Sequence, residues 1–161
     1  MNRVILSPIF FLITFLGMSF VNAEDQPNVQ NNLWGNSQQG ISLAFVLKNS
    51  QINGQLQKSI EVYIRNDSHE SKYYSDYGVQ HECPIEYLDQ GKFHGLYEEE
   101  TSGGPTIDPT EIKPGTIHTV HVILEPTKLA IVRTHPVKCC VGLWDPISKT
   151  KIWIISSPKT L

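Results

Sequence analysis

The sequence contains little of the clustered positive charge that nucleic-acid-binding and anionic-lipid-binding proteins need. Its 161 residues include 13 lysines and arginines and 16 aspartates and glutamates, which gives a formal net charge of −3 at pH 7. The basic side chains are spread along the chain rather than grouped in a block. Because these partners are attracted by dense positive charge, nucleic acid and anionic lipid are not predicted partners.

Signatures of common enzyme classes are also missing. The chain has no G-x-S-x-G nucleophile elbow, no H-E-x-x-H zinc motif, no Walker phosphate loop and no dinucleotide-binding glycine pattern. Each of these motifs brings together the few groups that its reaction needs. The sequence therefore predicts a protein that is not an enzyme and that uses no cofactor.

The first 23 residues predict a secretory signal peptide. Arg3 precedes an uncharged stretch, residues 4–21, that is rich in isoleucine, leucine and phenylalanine. Val21 and Ala23 then occupy the two positions that a signal peptidase reads, so we expect cleavage after Ala23. An uncleaved anchor is the alternative, because the stretch approaches the roughly 20 residues that span a bilayer. After cleavage we expect a secreted or periplasmic protein with no membrane span.

The remaining chain divides into a leader, one domain and a short tail. Residues 24–39 are rich in asparagine and glutamine and poor in apolar side chains, which is typical of a flexible leader. Residues 40–158 have the size of a single domain, and residues 159–161 form a tail.

Within the domain, apolar and polar residues alternate. The alternation predicts strands whose apolar side chains form one face. No segment keeps a helical repeat for three turns, and turn-forming residues separate the runs at short spacing. The predicted fold is all-β, an immunoglobulin-like sandwich of two sheets and about seven strands. The core residues expected from the clearest runs are Ile41, Leu43, Phe45, Leu47, Ile60, Val62, Ile64, Val120, Val122 and Leu124.

Four motifs of this domain resemble those of a known module. They are IRNDS at the end of a strand, then YLDQGK, then IKPGTIHTVHV, and a closing strand that ends in SSP. In this order they are similar to secreted bacterial immunoglobulin-like sandwich modules, above all the type named after an intracellular proteinase inhibitor of Bacillus (the BsuPI type). The resemblance implies the sandwich fold, and the family's name suggests protease inhibition as one possible activity.

Two of the three cysteines, Cys139 and Cys140, are adjacent. Neighbouring side chains of a strand point to opposite faces, so we expect Cys139 in the core and Cys140 on the other face. Disulfides persist in exported proteins, and Cys83 is the only distant partner. We predict a disulfide between Cys83 and Cys140, with Cys139 as the alternative partner. A catalytic thiol is the competing interpretation, but no cysteine-protease signature surrounds either residue.

Three tyrosines mark the candidate binding site. Tyr73, Tyr74 and Tyr77 lie among serine, aspartate and histidine in a long polar connection. Tyrosine with small polar residues is typical of contact loops, because it offers a large area with few rotatable bonds. We therefore expect binding of an unidentified protein or cell-envelope component through end loops. The alternative is that one tyrosine packs on the core. The connection begins with a glycosylation sequon at Asn66.

Six histidines raise the possibility of a metal site. His118 and His121 are three residues apart, which places them on opposite faces of a strand. His81 and Cys83 are a conceivable zinc or copper pair, since thiolate and imidazole suit these metals. A periplasmic metal-handling protein is therefore the first alternative function, and a protease inhibitor is the second.

Overall fold

The computed structural model describes residues 27–52, 54–74, 85–97 and 109–161, and it is an all-β sandwich of two antiparallel sheets. The predicted fold class is therefore confirmed. The predicted signal peptide, residues 1–23, lies outside the described residues. Among the described residues, no helix is long and apolar enough to cross a bilayer.

The smaller sheet has three strands, β1 (Ile41–Ile52), β2 (Gln55–Asn66) and, later in the chain, β7 (Ile117–Ile123). They are ordered β1-β2-β7, so that β2 is central. The ladder between β1 and β2 runs unbroken from Ile41 opposite Asn66 to Ile52 opposite Gln55. Its last residues extend beyond the apolar runs that the sequence marked, because backbone pairing continues where burial stops.

The larger sheet has six strands. They are β3 (Lys72–Tyr74), β4 (Ile85–Asp89), β5 (Lys92–Gly95), β6 (Thr110–Ile112), β8 (Val137–Asp145) and β9 (Thr150–Ile155). Strand β8 is central, because β4 and β3 pair with it and β9 pairs with it as well. The described chain thus has nine strands rather than about seven, since β3 and β6 are three-residue strands without a periodic signal.

The core lies between the sheets and follows the predicted alternation. Ile41, Leu43 and Phe45 from β1 are buried against Ile60, Val62 and Ile64 from β2, with the even-numbered residues of β7 alongside. The larger sheet contributes every second residue of β8. This set consists of Val137, Cys139, Val141 and Leu143, each fully buried.

The outer face of β2 holds one buried aromatic residue. Tyr63 alternates with the core residues and so lies on the outer face, yet it is only 3% exposed. Its neighbours across the ladders are Ala44 and Thr119, and its hydroxyl is engaged by charged side chains described below. A large ring that lies over small neighbours is covered even on a solvent-facing sheet.

A helix that the sequence analysis missed connects β7 to β8. It is α1 (Pro126–Thr134), which begins with proline in its first turn and buries only Val132 completely. Proline suits this position because the first amide has no partner within the helix. Nine residues with one buried side chain leave too little periodicity to recognise, which explains the omission.

The packed unit extends further at both ends than the predicted boundaries of 40 and 158. In the predicted leader, a 3₁₀ helix (Asn31–Leu33) precedes Trp34, whose ring lies 4.3 Å from the Arg65 guanidinium. In the predicted tail, Lys159 pairs with Val137 through two backbone hydrogen bonds of 2.8 Å, and Leu161 packs against the core. These contacts make residues 27–39 and 159–161 parts of the sandwich.

Asn66 organises the turn after β2 and is fully buried. Its Nδ2 donates to the carbonyls of Glu70 (2.7 Å) and Ile112 (2.9 Å), and its Oδ1 accepts from the backbone and hydroxyl of Ser68. The carboxamide therefore joins β2, the turn and β6. A glycan on Nδ2 would replace one of its two N–H groups and so break one of these bonds, and it would also need room beside a fully buried side chain.

We expect Asn66→Ala to lower the free energy of unfolding by about 2–4 kcal/mol, because the buried Ile112 carbonyl loses its side-chain donor and the turn loses its links to residue 66. Asn66→Asp should destabilise comparably near neutral pH, since it keeps the acceptor but replaces the donating group. Urea denaturation followed by circular dichroism measures both values. Asn49→Ala, at an exposed position of β1, is the control and should change stability by less than about 0.5 kcal/mol. If both Asn66 variants lost less than about 0.5 kcal/mol of stability, the carboxamide would not be what joins β2, the turn and β6.

Candidate functional site

The candidate site lies on the outer face of the larger sheet, around the end of β8. The alternation that directs Leu143 into the core directs Trp144 outward. Across the ladder on one side, Tyr73 is directly opposite Trp144. On the other side, Trp153 of β9 is opposite Gly142, and Ile155 is opposite Cys140. We call the surface formed by Tyr73, Trp144, Trp153 and Ile155 the aromatic face.

Its large apolar side chains are exposed to solvent. Trp144 is 45% exposed, Trp153 is 46% exposed and Ile155 is 44% exposed. Ile147, in the turn between β8 and β9, is 69% exposed. Of the seven large hydrophobic residues that are exposed in the described part of the chain, four thus belong to this one hairpin. Single exposed apolar residues are ordinary, but a contiguous group of them marks an interaction surface.

Small residues between the aromatic rings keep the surface shallow. In β8, Gly142 lies opposite Trp153 and Cys140 lies opposite Ile155. Both small residues are buried. Residues two apart on a strand are separated by about 7 Å, which brings Trp144 and Trp153 into diagonal positions within reach of one partner surface. The arrangement offers a broad apolar platform rather than a cleft.

Positive side chains border this platform. The Lys151 ammonium lies 4.7 Å from the centre of the Trp153 ring. On the far side of the sheet face, the Lys138 ammonium lies 4.0 Å from the Phe93 ring and 2.7 Å from the Glu86 carboxylate. Lysine side chains therefore lie over aromatic rings at two borders of the platform.

The structure separates the three predicted tyrosines. Tyr73 is half-buried and belongs to the aromatic face, whereas Tyr74 points inward and is fully buried beside His118, with ring centres 5.2 Å apart. Tyr74 is thus a core residue, and the prediction of a contact role for it is wrong. The reason is the strand alternation, which sends neighbouring side chains to opposite faces. Tyr77 lies outside the described residues.

The cysteines obey the same alternation. Cys139 belongs to the core, and Cys140 lies on the opposite face, where it is nevertheless only 7% exposed. The expectation of opposite faces is confirmed. Cys83 and His81 lie outside the described residues, so the predicted disulfide with Cys140 or Cys139 and the alternative metal pair stay predictions. Within the described ranges, no group of three or more histidine, cysteine, aspartate or glutamate side chains is placed to hold a metal ion.

His118 and His121 lie on opposite faces of β7, as expected. His118 is paired with Ile64 on the inner side, and His121 is paired with Glu61 on the outer side. The Nδ1 atom of His121 is 3.7 Å from a Glu61 carboxylate oxygen. The two imidazoles therefore cannot ligate one ion.

A second polar group, the Glu61 cluster, occupies the outer face of the smaller sheet. Its members are Lys48, Ser50, Ser59, Glu61, Tyr63 and His121. Lys48 Nζ lies 2.7 Å from the Glu61 carboxylate and donates to the Tyr63 hydroxyl at 2.6 Å. The Tyr63 hydroxyl donates to Glu61, and so does the Ser50 hydroxyl, at 3.0 Å.

These contacts set the charge states of the cluster. Burial raises the pKa of Glu61, but the hydrogen bonds from Lys48, Tyr63 and Ser50 outweigh it and hold the pKa below its usual value. The hydrogen bonds to Glu61 and Tyr63 raise the pKa of Lys48. A carboxylate with a lowered pKa is a weak base, so the cluster is suited to holding a charged pair together and poorly suited to proton transfer.

A small cavity lies between the leader and the C-terminal residues. Its volume is about 280 Å³, and its lining includes Leu33, Trp34, Phe45 and Lys159. Burial lowers the pKa of Lys159, whose ammonium lies 4.2 Å from the Phe45 ring. The cavity is just below the size range of small-molecule sites, and its lining mixes apolar side chains with polar residues such as Asn36 and Ser157.

Comparisons with known proteins add no family. No protein-family model matches the chain, and no curated protein matches its sequence. The resemblance to BsuPI-type modules therefore stays an expectation from four motifs.

Of the aromatic face, composition predicts only Tyr73 as a contact residue, and Trp144 and Trp153 are found by the structure. A signal was present, because Trp144 alternates with the core residues of β8 and so had to face outward. The pairing of Trp153 with Gly142 could not be read from the sequence, since it depends on the register of the hairpin.

We expect the Glu61 cluster to stabilise the fold in a pH-dependent way. Because folding lowers the pKa of Glu61, its contribution is present above the unfolded-state value of about 4.5 and is lost as the pH falls through the lower folded-state value. Glu61→Gln should cost about 1–2 kcal/mol at neutral pH, a modest figure because Lys48 is half-exposed. Urea denaturation from pH 7 to pH 3 should show the two proteins converging at the acidic end. If the difference in unfolding free energy between wild type and Glu61→Gln stayed constant with pH, the lowered pKa of Glu61 would not be the source of its contribution.

Proposed function

We propose that the protein is an exported, non-catalytic binding domain that holds a protein or cell-envelope partner against the aromatic face. The predicted signal peptide supports export, and with it a secreted or periplasmic location. The exposed platform of the larger sheet supports binding. The sequence predicts binding through end loops, whereas the site proposed here is the aromatic face of the larger sheet.

The observation that supports the proposal most is the exposure of two tryptophans on one sheet face. Tryptophan and tyrosine supply large contact areas with few rotatable bonds, and they are enriched among the residues that contribute most binding energy. Leaving Trp144 and Trp153 nearly half-exposed forgoes stabilisation that their burial would bring. A partner that covers them recovers this free energy.

The chemistry of the described residues also favours binding over catalysis. Glu61 is held in its charged form by hydrogen bonds from Lys48, Tyr63 and Ser50. What the aromatic face offers is apolar area with lysine side chains at its border. This combination suits recognition of a protein surface.

We expect Trp144→Ala and Trp153→Ala each to weaken partner binding at least about tenfold while changing stability by less than about 1 kcal/mol. The assay introduces a photo-cross-linking amino acid at Tyr73 in the cells that express the protein and identifies the adduct by mass spectrometry. Unlabelled wild-type protein should compete for the adduct, whereas the two variants should not.

The matched control places the cross-linker at Leu56, which is 75% exposed on the smaller sheet. This position should yield no adduct with the same partner. Equal labelling from Tyr73 and Leu56, or full competition by Trp144→Ala, would contradict the proposed site.

A further inference from the structure

Lys159 carries a partly buried charge that has no carboxylate beside it. Two backbone hydrogen bonds of 2.8 Å hold the residue against Val137 of β8, so its side chain starts from a fixed point. The ammonium lies 4.2 Å from the centre of the Phe45 ring. It makes no ion pair or hydrogen bond with any residue that the structure describes. Lysines that lose part of their hydration are usually paired, so this charge needs an explanation.

The Lys159 side chain borders the cavity between the leader and the C-terminal residues, which has a volume of about 280 Å³. One wall is the Trp34 ring, and the Arg65 guanidinium lies 4.3 Å from the centre of this ring and holds it in place. The lining combines apolar and polar side chains. They include Leu33, Trp34, Phe45, Asn36, Ser157 and Lys159.

The surroundings of the ammonium favour a negatively charged ligand. Burial lowers the pKa of Lys159, because the charged form loses hydration that no carboxylate replaces. The Phe45 ring attracts the ammonium but faces it from one side only, and a lysine has three N–H donors. An anion in the cavity would accept from the remaining donors and restore the stabilisation that burial removes.

The lining also indicates which anion fits. Phosphate is usually bound by several cationic or backbone donors, whereas Lys159 is the one cation among the described residues that line the cavity. A carboxylate carries a single charge on two oxygens, which suits one ammonium together with the hydroxyl of Ser157 or the carboxamide of Asn36. The apolar walls suit a hydrocarbon body. Since the volume is below the range of drug-sized ligands, this body is a single ring or a short chain.

We propose that the cavity binds a small organic acid, whose carboxylate lies beside the Lys159 ammonium and whose ring or short chain packs against Leu33, Trp34 and Phe45. The site shares no residue with the aromatic face, so the inference goes beyond the proposed function and does not depend on it. A ligand in this position contacts both the leader and the C-terminal residues.

The test compares two probes of the same shape, phenylacetate and its neutral amide, phenylacetamide. Each is titrated into the purified protein and followed by two-dimensional NMR. We expect phenylacetate to bind at least about tenfold more tightly than phenylacetamide, because only the acid gains a charge-assisted contact. The indole signal of Trp34 should shift, whereas those of Trp144 and Trp153 serve as internal references and should not. Acetate, which lacks the ring, should bind more weakly than phenylacetate.

Variants assign the charge to one lysine. Lys159→Met keeps the apolar stem and the backbone bonds to Val137, so the protein should fold. It should lose about tenfold in affinity for phenylacetate and little in affinity for phenylacetamide. Lys113→Met removes the same charge at an exposed position elsewhere and should leave both affinities as in wild type. Ser157→Trp places a large ring at the exposed border of the cavity and should weaken the binding of both probes.

The pH dependence gives a test on the unaltered protein. Phenylacetate should bind the charged lysine more tightly, so its affinity should fall as the pH rises through the pKa of Lys159, and its binding should raise that pKa. Affinity for phenylacetamide should stay constant over this range. Among the described residues of the lining, no other side chain titrates, and behind the Trp34 wall the charged group is Arg65, whose guanidinium type does not titrate here. The pKa is read from the side-chain carbon signals of Lys159.

Three results would overturn the inference. The first is equal affinity for phenylacetate and phenylacetamide, or no saturable shift with either. The second is unchanged binding of phenylacetate by Lys159→Met together with a pKa of Lys159 that the acid does not raise. The third is a shift of the Trp144 or Trp153 indole signal in place of that of Trp34, which would locate the acid on the aromatic face.

Discussion

The larger sheet depends on one strand, β8, which is paired along both of its edges. Strands β4 and β3 meet it on one side, and β9 runs along the other. The alternation of its side chains therefore determines both the core and the outer face of this sheet. Val137, Cys139, Val141 and Leu143 fill the core, and the residues between them form the floor of the outer face. A one-residue change of register in β8 would exchange these two sets and remove both the core and the aromatic face.

The outer faces of the two sheets differ in how their large side chains are covered. On the smaller sheet, Tyr63 is covered through a network in which Glu61 accepts from Lys48, Tyr63 and Ser50, so that its polar groups find partners within the molecule. On the larger sheet, Trp144 and Trp153 lie exposed over small residues. The first face satisfies its polar groups within the molecule, while the second groups several exposed apolar side chains that gain from being covered, and this difference points to the second as the functional surface.

The fold could be predicted from the sequence where burial imposes a period of two. Alternation identified the core residues of β1, β2 and β7, together with the side of β8 on which Cys139 lies. It could not identify β3, β6 or α1, because short elements with few buried residues leave no periodic pattern. For the candidate site, composition identified Tyr73 but also Tyr74, which alternation sends into the core. The pairing of Trp153 with Gly142 depends on hairpin register, which no local pattern specifies.

Single contacts from outside the sheets cap several strand edges of the sandwich. The Tyr97 hydroxyl donates to the Ile123 carbonyl of β7, and Gly35 donates to the Leu43 carbonyl of β1. The Gln38 side chain bonds both backbone groups of Ile155 in β9. Because an unpaired edge is a template for another strand, each cap removes one site of edge-to-edge pairing. The capped edges therefore leave the exposed side chains of the aromatic face as the surface that gains most from a partner.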